Sequence, residues 1–337
     1  MRVGRLLYNK FLEAPLRKTV LSLLACTILL SCAFAQDASH VKLYPVLNPN
    51  GPSHTLVYRP GQAALPPSSN ITYYGGPIIS VPANVYVVYY GKWSSIDRGI
   101  IDGFIKNLSG SPLYNINAGY YDNSTPQNFV QNVVNYTAKT NAYHDNYSLG
   151  KTLSDAQTQT IITNAINGGH LANDINGVYF VLTAKDVHQN AFGGSFCSLY
   201  CGYHGPSTTI ISGETIKYSF VGNPAQCPTG CDGNVAIYGD KTSPNSDIGA
   251  DGVTNVLFHE LSESVTDPEV NMNTAWQAGS CGENGDCCNF TFGTTSKGTN
   301  GAHYNQTING VNYLVQEMFK LTGTGFTSVT GVCAQSR

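Results

Sequence analysis

Residues 258–269 read FHELSESVTDPE, and this segment decides most of what the sequence predicts. Apolar residues recur at helical spacing before and within it. Asp251 is of a residue type that caps the start of helices, and Pro268 restricts the conformation of the residue before it. We therefore predict a helix over about residues 252–266.

The predicted helix has one apolar face when its residues are projected at about 100° per residue. This face contains Val253, Leu257, Phe258, Leu261 and Val265. Asn255 and Ser262 fall on the opposite side, which we expect to face solvent.

The carboxylates of this helix lie where negative charge is unfavourable. His259, Glu263 and Asp267 form one stripe, and Glu260 falls at the edge of the apolar face, where an uncompensated charge is costly. Glu263, Asp267 and Glu269 also crowd the negative end of the helix dipole, each at a cost of about 0.3–1 kcal/mol. A positive group is therefore expected beside them.

A metal ion, a Lys or Arg side chain, or a proton shared between carboxylates could supply this charge. Residues 242–296 contain neither Lys nor Arg. His259 and Glu263 are four residues apart and can bind one ion side by side, which leaves Glu260 as the candidate catalytic base beside a bound water. This is the H-E-x-x-H arrangement with a carboxylate in place of the second imidazole. The alternative is a buried histidine among hydrogen-bonded carboxylates.

Further ligands are expected from other segments. Residues 279–289, GSCGENGDCCN, contain Glu283 and Asp286 between cysteines and glycines, and the alternative for both is a polar turn. Asp267 is a third candidate, and His303 is a lesser one. The predicted cofactor is a divalent metal, zinc first because histidine suits it, and calcium second if oxygen ligands dominate.

The N-terminus predicts export. Basic residues precede the apolar run TVLSLLACTILLSCAFA, and Ala33-Phe34-Ala35 has the form of a signal-peptidase site. We interpret residues 1–35 as a cleaved signal peptide; a membrane anchor is the alternative, but the run is short for a span. Cleavage after Ala35 would remove five basic residues and one acidic residue, which leaves a formal charge of −7 and no expected membrane span. Residues 36–70 are interpreted as a flexible leader and residues 71–337 as one domain.

The cysteines and the composition agree with an extracellular protein. Eight cysteines follow residue 190, and an even number in an exported chain predicts disulfides that staple the C-terminal half. A zinc cluster at the two C-x3-C pairs is the alternative. Charged residues make up 12% of the chain, and the absence of a basic patch argues against nucleic-acid binding.

The many tyrosines and asparagines suit contact with glycans. N-glycosylation is expected, if the source is eukaryotic, at N-x-S/T sites that begin at Asn70, Asn107, Asn123, Asn135, Asn146, Asn289 and Asn305.

Local patterns predict a mixture of strands and helices without strict alternation, which is an α+β fold. Predicted strands cover residues 84–90, 177–183, 208–212 and 217–221, with a hairpin turn at Asn309-Gly310. Predicted helices cover residues 94–108, 127–138 and 154–167.

Several blocks of sequence, in order, resemble one known family. They are YYGGPIIS (73–80), YYGKWSS (89–95), FCSLYCGYHG (196–205), FVGNPAQCPTGC (220–231), PNSDIGADGVTNVLFHELSESVTDP (244–268) and NGVNYLVQ (309–316). They are similar to the EXORDIUM-like, phosphate-induced family of secreted plant proteins and their microbial relatives. The resemblance covers about residues 70–320.

The resemblance implies an extracellular or cell-wall protein associated with growth regulation, without a defined reaction. It supports His259, Glu260 and Glu263 directly, and Glu283 and Asp286 through an E-x-x-D-x-C-like block. Many plant members have Asn-Pro in place of Asp267-Pro268, which weakens Asp267 as a ligand.

Two functions therefore remain. One is a non-catalytic secreted protein with a structural ion, whose partner is an extracellular peptide, glycan or wall component. The other is a zincin-like metallohydrolase with Glu260 as base. An open cleft beside Glu260 favours the enzyme, and burial under residues 281–288 favours the structural role.

Overall fold

The largest sheet among the described residues is a seven-stranded mixed sheet, which we call the central sheet. The computed structural model describes residues 54–55, 70–279 and 281–337, all within the unit Pro45–Arg337. The predicted signal peptide lies outside the described residues, as does the predicted leader apart from three of its residues. His54–Thr55 of that leader forms a short strand, and Asn70 begins the next one.

The part of the chain that the structure describes contains eighteen short strands and six helices. The strands are β1 His54–Thr55, β2 Asn70–Tyr73, β3 Ala83–Tyr90, β4 Val134–Asn135, β5 Ala142–Asp145, β6 Thr152–Ser154, β7 Gly177–Thr183, β8 His188–Ala191, β9 Gly194–Ser195, β10 Gly202–Ser207, β11 Ile216–Val221, β12 Trp276–Gln277, β13 Ser296–Lys297, β14 His303–Tyr304, β15 Gln306–Ile308, β16 Val311–Tyr313, β17 Met318–Leu321 and β18 Val329–Ala334. The helices are α1 Ser95–Lys106, α2 Ala138–Asn141, α3 Asp155–Asn167, α4 Pro228–Cys231, α5 Gly233–Tyr238 and α6 Ile248–Thr266. Short 3₁₀ helices cover Tyr114–Gly119, Pro224–Gln226 and Asp286–Cys288.

The central sheet has the order β1-β10-β11-β7-β3-β4, with β5 also paired to β3. Strands β11, β7 and β3 are parallel, whereas β10 pairs with β11 antiparallel. Strand β7 (GVYFVLT) is buried at every position, as expected for a strand covered on both faces. The strands predicted at residues 84–90, 177–183 and 217–221 are confirmed as β3, β7 and β11, and the mixture of helices and sheets confirms the α+β class.

Two local predictions are wrong. Residues 127–138 form a loop and strand β4 instead of a helix, because Val134–Asn135 pairs with the edge of β3. Residues 208–212 form a turn instead of a strand. The Ser207 hydroxyl accepts hydrogen bonds from the backbone N–H groups of Thr209 and Ile210, which turns the chain at the end of β10.

Helix α6 begins earlier than predicted and is buried on all sides. Asp247, and not Asp251, caps it by accepting a hydrogen bond from Ala250 N. Asn255 and Ser262, predicted to face solvent, are buried. The prediction failed because α6 is covered by β10 and β11 on one side and by α1 and two 3₁₀ helices on others. Helices α1 and α3 are confirmed with capping boxes at Ser94 and Ser154.

Four disulfides staple the C-terminal half, as predicted. They join Cys197 to Cys227, Cys201 to Cys231, Cys281 to Cys287, and Cys288 to Cys333. The alternative of a zinc cluster at the two C-x3-C pairs is wrong, because these cysteines pair with one another as two parallel bridges. The last disulfide links residues 281–288, which we call the cysteine loop, to β18 of a second sheet with the order β12-β2-β18-β17.

Most tyrosines in the described part of the chain are not available for contact with glycans. Thirteen tyrosines are buried in the core, so their abundance mainly reflects packing. Of the potential glycosylation sites, Asn70, Asn123, Asn135 and Asn146 are exposed. None of the helices in the described part of the chain is both long enough and apolar enough to cross a membrane.

Candidate metal centre

Six titratable side chains from three segments meet beside α6. We call them the buried cluster, and they are His204, His259, Glu260, Glu263, Glu283 and Asp286. Five of these side chains are at most 1% exposed, and Asp286 is 6% exposed. Strand β10, helix α6 and the cysteine loop each contribute at least one of them, so the cluster exists only in the folded protein.

His204 of β10 faces the two glutamates of α6. Its Nδ1 lies 3.3 Å from Oε2 of Glu260 and 3.4 Å from Oε2 of Glu263. Its Nε2 lies 3.7 Å from Oε1 of Glu283. His204, Glu260 and Glu263 form one set of ligand atoms close enough to hold an ion.

His259 forms a second set on the other side of Glu263. Its Nε2 lies 2.9 Å from Oε1 of Glu263 and 3.6 Å from Oδ1 of Asp286. The contact with Glu263 is not aligned as a hydrogen bond, although Nε2 is buried. His259, Glu263 and Asp286 can therefore hold an ion together.

Gln316 sets the orientation of the His259 ring. Its amide Nε2 donates to the carbonyl oxygen of Gly285 at 2.9 Å, which leaves Oε1 to accept a hydrogen bond from His259 Nδ1 at 3.1 Å. Nδ1 therefore carries a proton and the lone pair of a neutral imidazole lies on Nε2, towards Glu263 and Asp286. Hydrogen bonds of this kind orient histidine ligands in metal sites.

The cysteine loop is held against α6 by backbone and amide contacts. Asp286 N donates to Oε1 of Glu263 at 3.0 Å. Asn284 Nδ2 donates to Oδ1 of Asn117, whose Nδ2 donates in turn to the Ser262 hydroxyl. The loop thereby covers the cluster, and no side-chain atom of Glu260 or Glu263 reaches solvent.

Glycines leave the space that the cluster occupies. A Cβ on Gly285 would lie 2.9 Å from Oε1 of Glu263 and 3.1 Å from the His259 ring. A Cβ on Gly202 would lie 3.0 Å from Oε1 of Glu260, and one on Gly282 would lie 2.3 Å from Oδ2 of Asp286. Any larger residue at these positions would displace a candidate ligand.

The donor atoms fit a small divalent cation. Ligand atoms of a tetrahedral zinc site lie about 3.3 Å apart, because zinc–nitrogen and zinc–oxygen bonds are about 2.0–2.2 Å long. The two sets have nitrogen–oxygen distances of 3.3 and 3.4 Å around His204 and of 2.9 and 3.6 Å around His259. Imidazole favours zinc or another transition metal over calcium.

Without a cation, protons would have to balance the carboxylates. Burial opposes protonation of His204, but Glu260 and Glu263 outweigh it and raise its pKa to about 10. Burial raises the pKa of Glu260 to about 7, despite the opposing histidines. Burial also favours neutral Glu263, yet His259 and His204 hold its pKa well below the ordinary value. Burial and the neighbouring carboxylates raise the pKa of Glu283 well above its usual range.

Two sequence candidates lie apart from both ligand sets. Asp267 ends α6, and its Oδ1 accepts a hydrogen bond from Ala275 N at 2.6 Å. His303 contacts Asp240 at 2.9 Å and stacks on Tyr238. Glu283 belongs to the buried cluster but lies behind His204 and not in either three-residue set.

His204 is the site residue that sequence reasoning missed. It lies 56 residues before Glu260 in the chain, and only the antiparallel pairing of β10 with β11 brings it under α6. The segment Gly202-Tyr203-His204-Gly205 nonetheless contains a pattern that could have indicated the position of His204. Alternate residues of a strand share a face, so Gly202 and His204 both face α6, where the glycine leaves room for Glu260.

The sequence comparisons agree with the resemblance noted above. Residues 71–325 match the phosphate-induced protein 1 conserved region. The chain therefore belongs to the phosphate-induced, EXORDIUM-like family.

Named relatives cover most of the chain. Protein EXORDIUM-like 3 of Arabidopsis thaliana is 32% identical over 284 residues, which are 74% of this chain and 81% of that protein. Protein EXORDIUM-like 5 of the same plant is 32% identical over 257 residues, which are 68% of each chain. Protein PHOSPHATE-INDUCED 1 of Nicotiana tabacum is 29% identical over 297 residues, 75% of this chain and 86% of that protein. No solved structure matches the chain significantly.

Proposed function

We propose that this protein is a secreted, non-catalytic member of the EXORDIUM-like family that acts in growth regulation outside the cell and is stabilised by a bound divalent metal. His259, Glu263 and Asp286 are the ligands, and zinc is the first candidate. The observation that carries the proposal is the burial of this site: His259 and Glu263 are fully buried, and Asp286 of the cysteine loop is 6% exposed. A structural metal site is closed by protein, whereas a catalytic one keeps a position open to water.

Glu260 supports the structural role over hydrolysis. In the metallohydrolase hypothesis it would activate a water molecule beside a zincin-like zinc site. Its side chain is instead fully buried, with Oε2 towards His204 and Oε1 against Gly202. A substrate carbonyl has no approach to it without displacement of the cysteine loop.

Secretion is supported by the N-terminal pattern and by four disulfides, which persist in oxidising compartments. The proposal places signal cleavage after Ala35, so the secreted chain would begin at Gln36. Its partner would be an extracellular peptide, a glycan or a wall component. Release of a tagged chain into the medium and N-terminal sequencing test this part of the proposal.

The metal's role is tested by thermal unfolding of the secreted protein with and without a chelator. An ion that binds only the folded state adds about 4 kcal/mol when its free concentration is about 1,000 times its Kd. We expect chelation to lower the unfolding temperature and added zinc to restore it. Glu263→Ala should be insensitive to the chelator, while exposed Glu214→Ala should behave like the unmodified protein.

A hydrolase assay separates the two functions. The unmodified protein and Glu260→Gln are incubated with a mixed peptide library, and cleavage is read by mass spectrometry. The structural role predicts no cleavage by either protein. Cleavage by the unmodified protein that is abolished in Glu260→Gln would overturn it in favour of a metallohydrolase.

A further inference from the structure

The geometry points to a second metal position next to the first, held by His204, Glu260 and Glu263, with Glu263 as a bridging ligand between two divalent ions. This inference rests on the proposed function, because the first ion is the one bound by His259, Glu263 and Asp286. It makes the site a carboxylate-bridged pair of transition-metal ions.

The two oxygens of Glu263 face different histidines. Oε1 lies 2.9 Å from His259 Nε2, and Oε2 lies 3.4 Å from His204 Nδ1. A single ion could not use both histidines through one oxygen of this carboxylate. The arrangement instead offers one oxygen to each of two ions, as in two-metal sites whose ions lie about 3.5–4 Å apart.

Each position has three protein donors. One histidine nitrogen and two carboxylates surround each, and the atoms of each set lie within 4.8 Å of one another. Glu263 is the only residue common to the two sets. A mixed nitrogen and oxygen donor set that includes imidazole is typical of zinc, iron or manganese and not of calcium.

Glu263 provides an independent sign that a cation belongs beside His204. Its Oε2 lies 3.4 Å from His204 Nδ1, is buried, and accepts no hydrogen bond from any described residue. A buried polar atom left without a partner costs about 1–3 kcal/mol, and more when the group is charged. A cation held by Oε2 of Glu263 beside His204 would remove this cost, whereas the ion at His259 and Asp286 lies on the side of Oε1.

Ion counting tests the inference. The full-length secreted chain is stripped of metal, loaded with Zn²⁺ alone and examined by native mass spectrometry. We expect two zinc ions per folded chain in the unmodified protein and one in His204→Ala, where the ion at His259 remains. Asp286→Asn should likewise retain one ion, bound at His204.

The outcomes separate this inference from the proposed function. One ion in the unmodified protein, kept in His204→Ala, overturns the second position and leaves the first intact. One ion that is lost in His204→Ala shows a single shared ion and also overturns the inference. No bound ion in the unmodified protein overturns both proposals.

A second measurement does not depend on the folding of a variant. X-ray absorption on the zinc-loaded unmodified protein should show metal–metal scattering at about 3.5–4 Å. A spectrum with nitrogen and oxygen neighbours but no zinc neighbour at this distance would overturn the bridged pair.

Discussion

At the scale of single residues, Glu263 connects helix α6, strand β10 and the cysteine loop. Its carboxylate faces His259 and His204 and accepts a hydrogen bond from Asp286 N. Its position on α6 was evident from the H-E-x-x-E spacing. The sequence could not show that His204 would face it from β10, because that contact depends on strand pairing and not on a local pattern.

Gly285 is the residue whose change should affect the site most selectively. A Cβ there would lie 2.9 Å from Oε1 of Glu263 and 3.1 Å from the His259 ring. We therefore expect Gly285→Ala to lose bound metal and to reduce the free energy of unfolding by about 1–3 kcal/mol, the usual cost of overpacking. Elemental analysis and chemical denaturation measure the two effects.

Gly279→Ala is the matched control for this substitution. Gly279 lies in the same segment, is exposed, and has no atom within 4 Å of an added Cβ. Its variant should keep both metal and stability. Equal metal content in Gly285→Ala and Gly279→Ala would mean that the space beside Glu263 is not required for binding an ion.

At the scale of secondary structure, the sequence predicted the elements that depend on local chemistry. The apolar strands β3 and β7 and the capped helices α1 and α3 were found because their patterns and capping residues act over a few residues. The loop at residues 127–138 was not found, because pairing with the edge of β3 outweighed its weak helical spacing.

Helix α6 shows the same limit in its burial. Its residue pattern predicted a solvent-facing side, yet its polar residues are satisfied internally by other elements. Asn255 Oδ1 accepts a hydrogen bond from Gln316 N, and the Ser262 hydroxyl accepts one from Asn117. The polar residues on this side of α6 therefore contact other elements of the fold and do not face solvent. The helical spacing alone could not identify those elements.

Helix α5 gives a prediction about pH. Asp232 caps this helix through a hydrogen bond from Val235 N to its Oδ1. Burial, reinforced by the charges of Asp251 and Asp240, raises the pKa of Asp232 to about 7. A carboxyl group whose pKa is higher in the folded than in the unfolded state lowers stability as pH rises between the two values. The pH range over which Asp232 lowers stability therefore runs from its ordinary pKa near 3.8 to about 7.

Asp232→Asn should therefore flatten the fall in stability across this window while keeping the cap, since Asn also caps helices. The upper limit of the gain near pH 7.5 is about 4 kcal/mol, because one pKa unit corresponds to about 1.4 kcal/mol. Denaturation at pH 4.5 and 7.5 measures it, with exposed Glu214→Gln as the control. An unchanged slope in Asp232→Asn would show that Asp232 titrates normally in the folded protein.

At the scale of the whole molecule, disulfides tie the metal site to the rest of the fold. The number and position of the cysteines predicted a stapled C-terminal half, but not the pairing, which depends on the folded geometry. The Cys288–Cys333 bridge fastens the cysteine loop to β18. The Cys197–Cys227 bridge joins residues outside the buried cluster.

Removal of one bridge or the other should have different effects on the affinity for metal. Both double serine variants should lose about 4 kcal/mol of stability by the chain-entropy estimate, since the sequence separations of 45 and 30 residues are similar. Cys288→Ser with Cys333→Ser should also weaken metal binding, because the loop that carries Asp286 is released. Cys197→Ser with Cys227→Ser should not, and chelator competition compares their affinities. Equal affinities in the two variants would show that the bridge does not position the loop.

The most direct measurement is the metal content of the full chain, secreted by its host and purified without chelators, beside that of Glu263→Ala. Mass spectrometry of the elements in each sample counts ions per folded chain. A fold built around a cation predicts at least one zinc or other transition-metal ion per chain, lost in Glu263→Ala. A folded and metal-free protein would contradict it, and would mean that protons shared among the carboxylates and histidines balance the buried cluster.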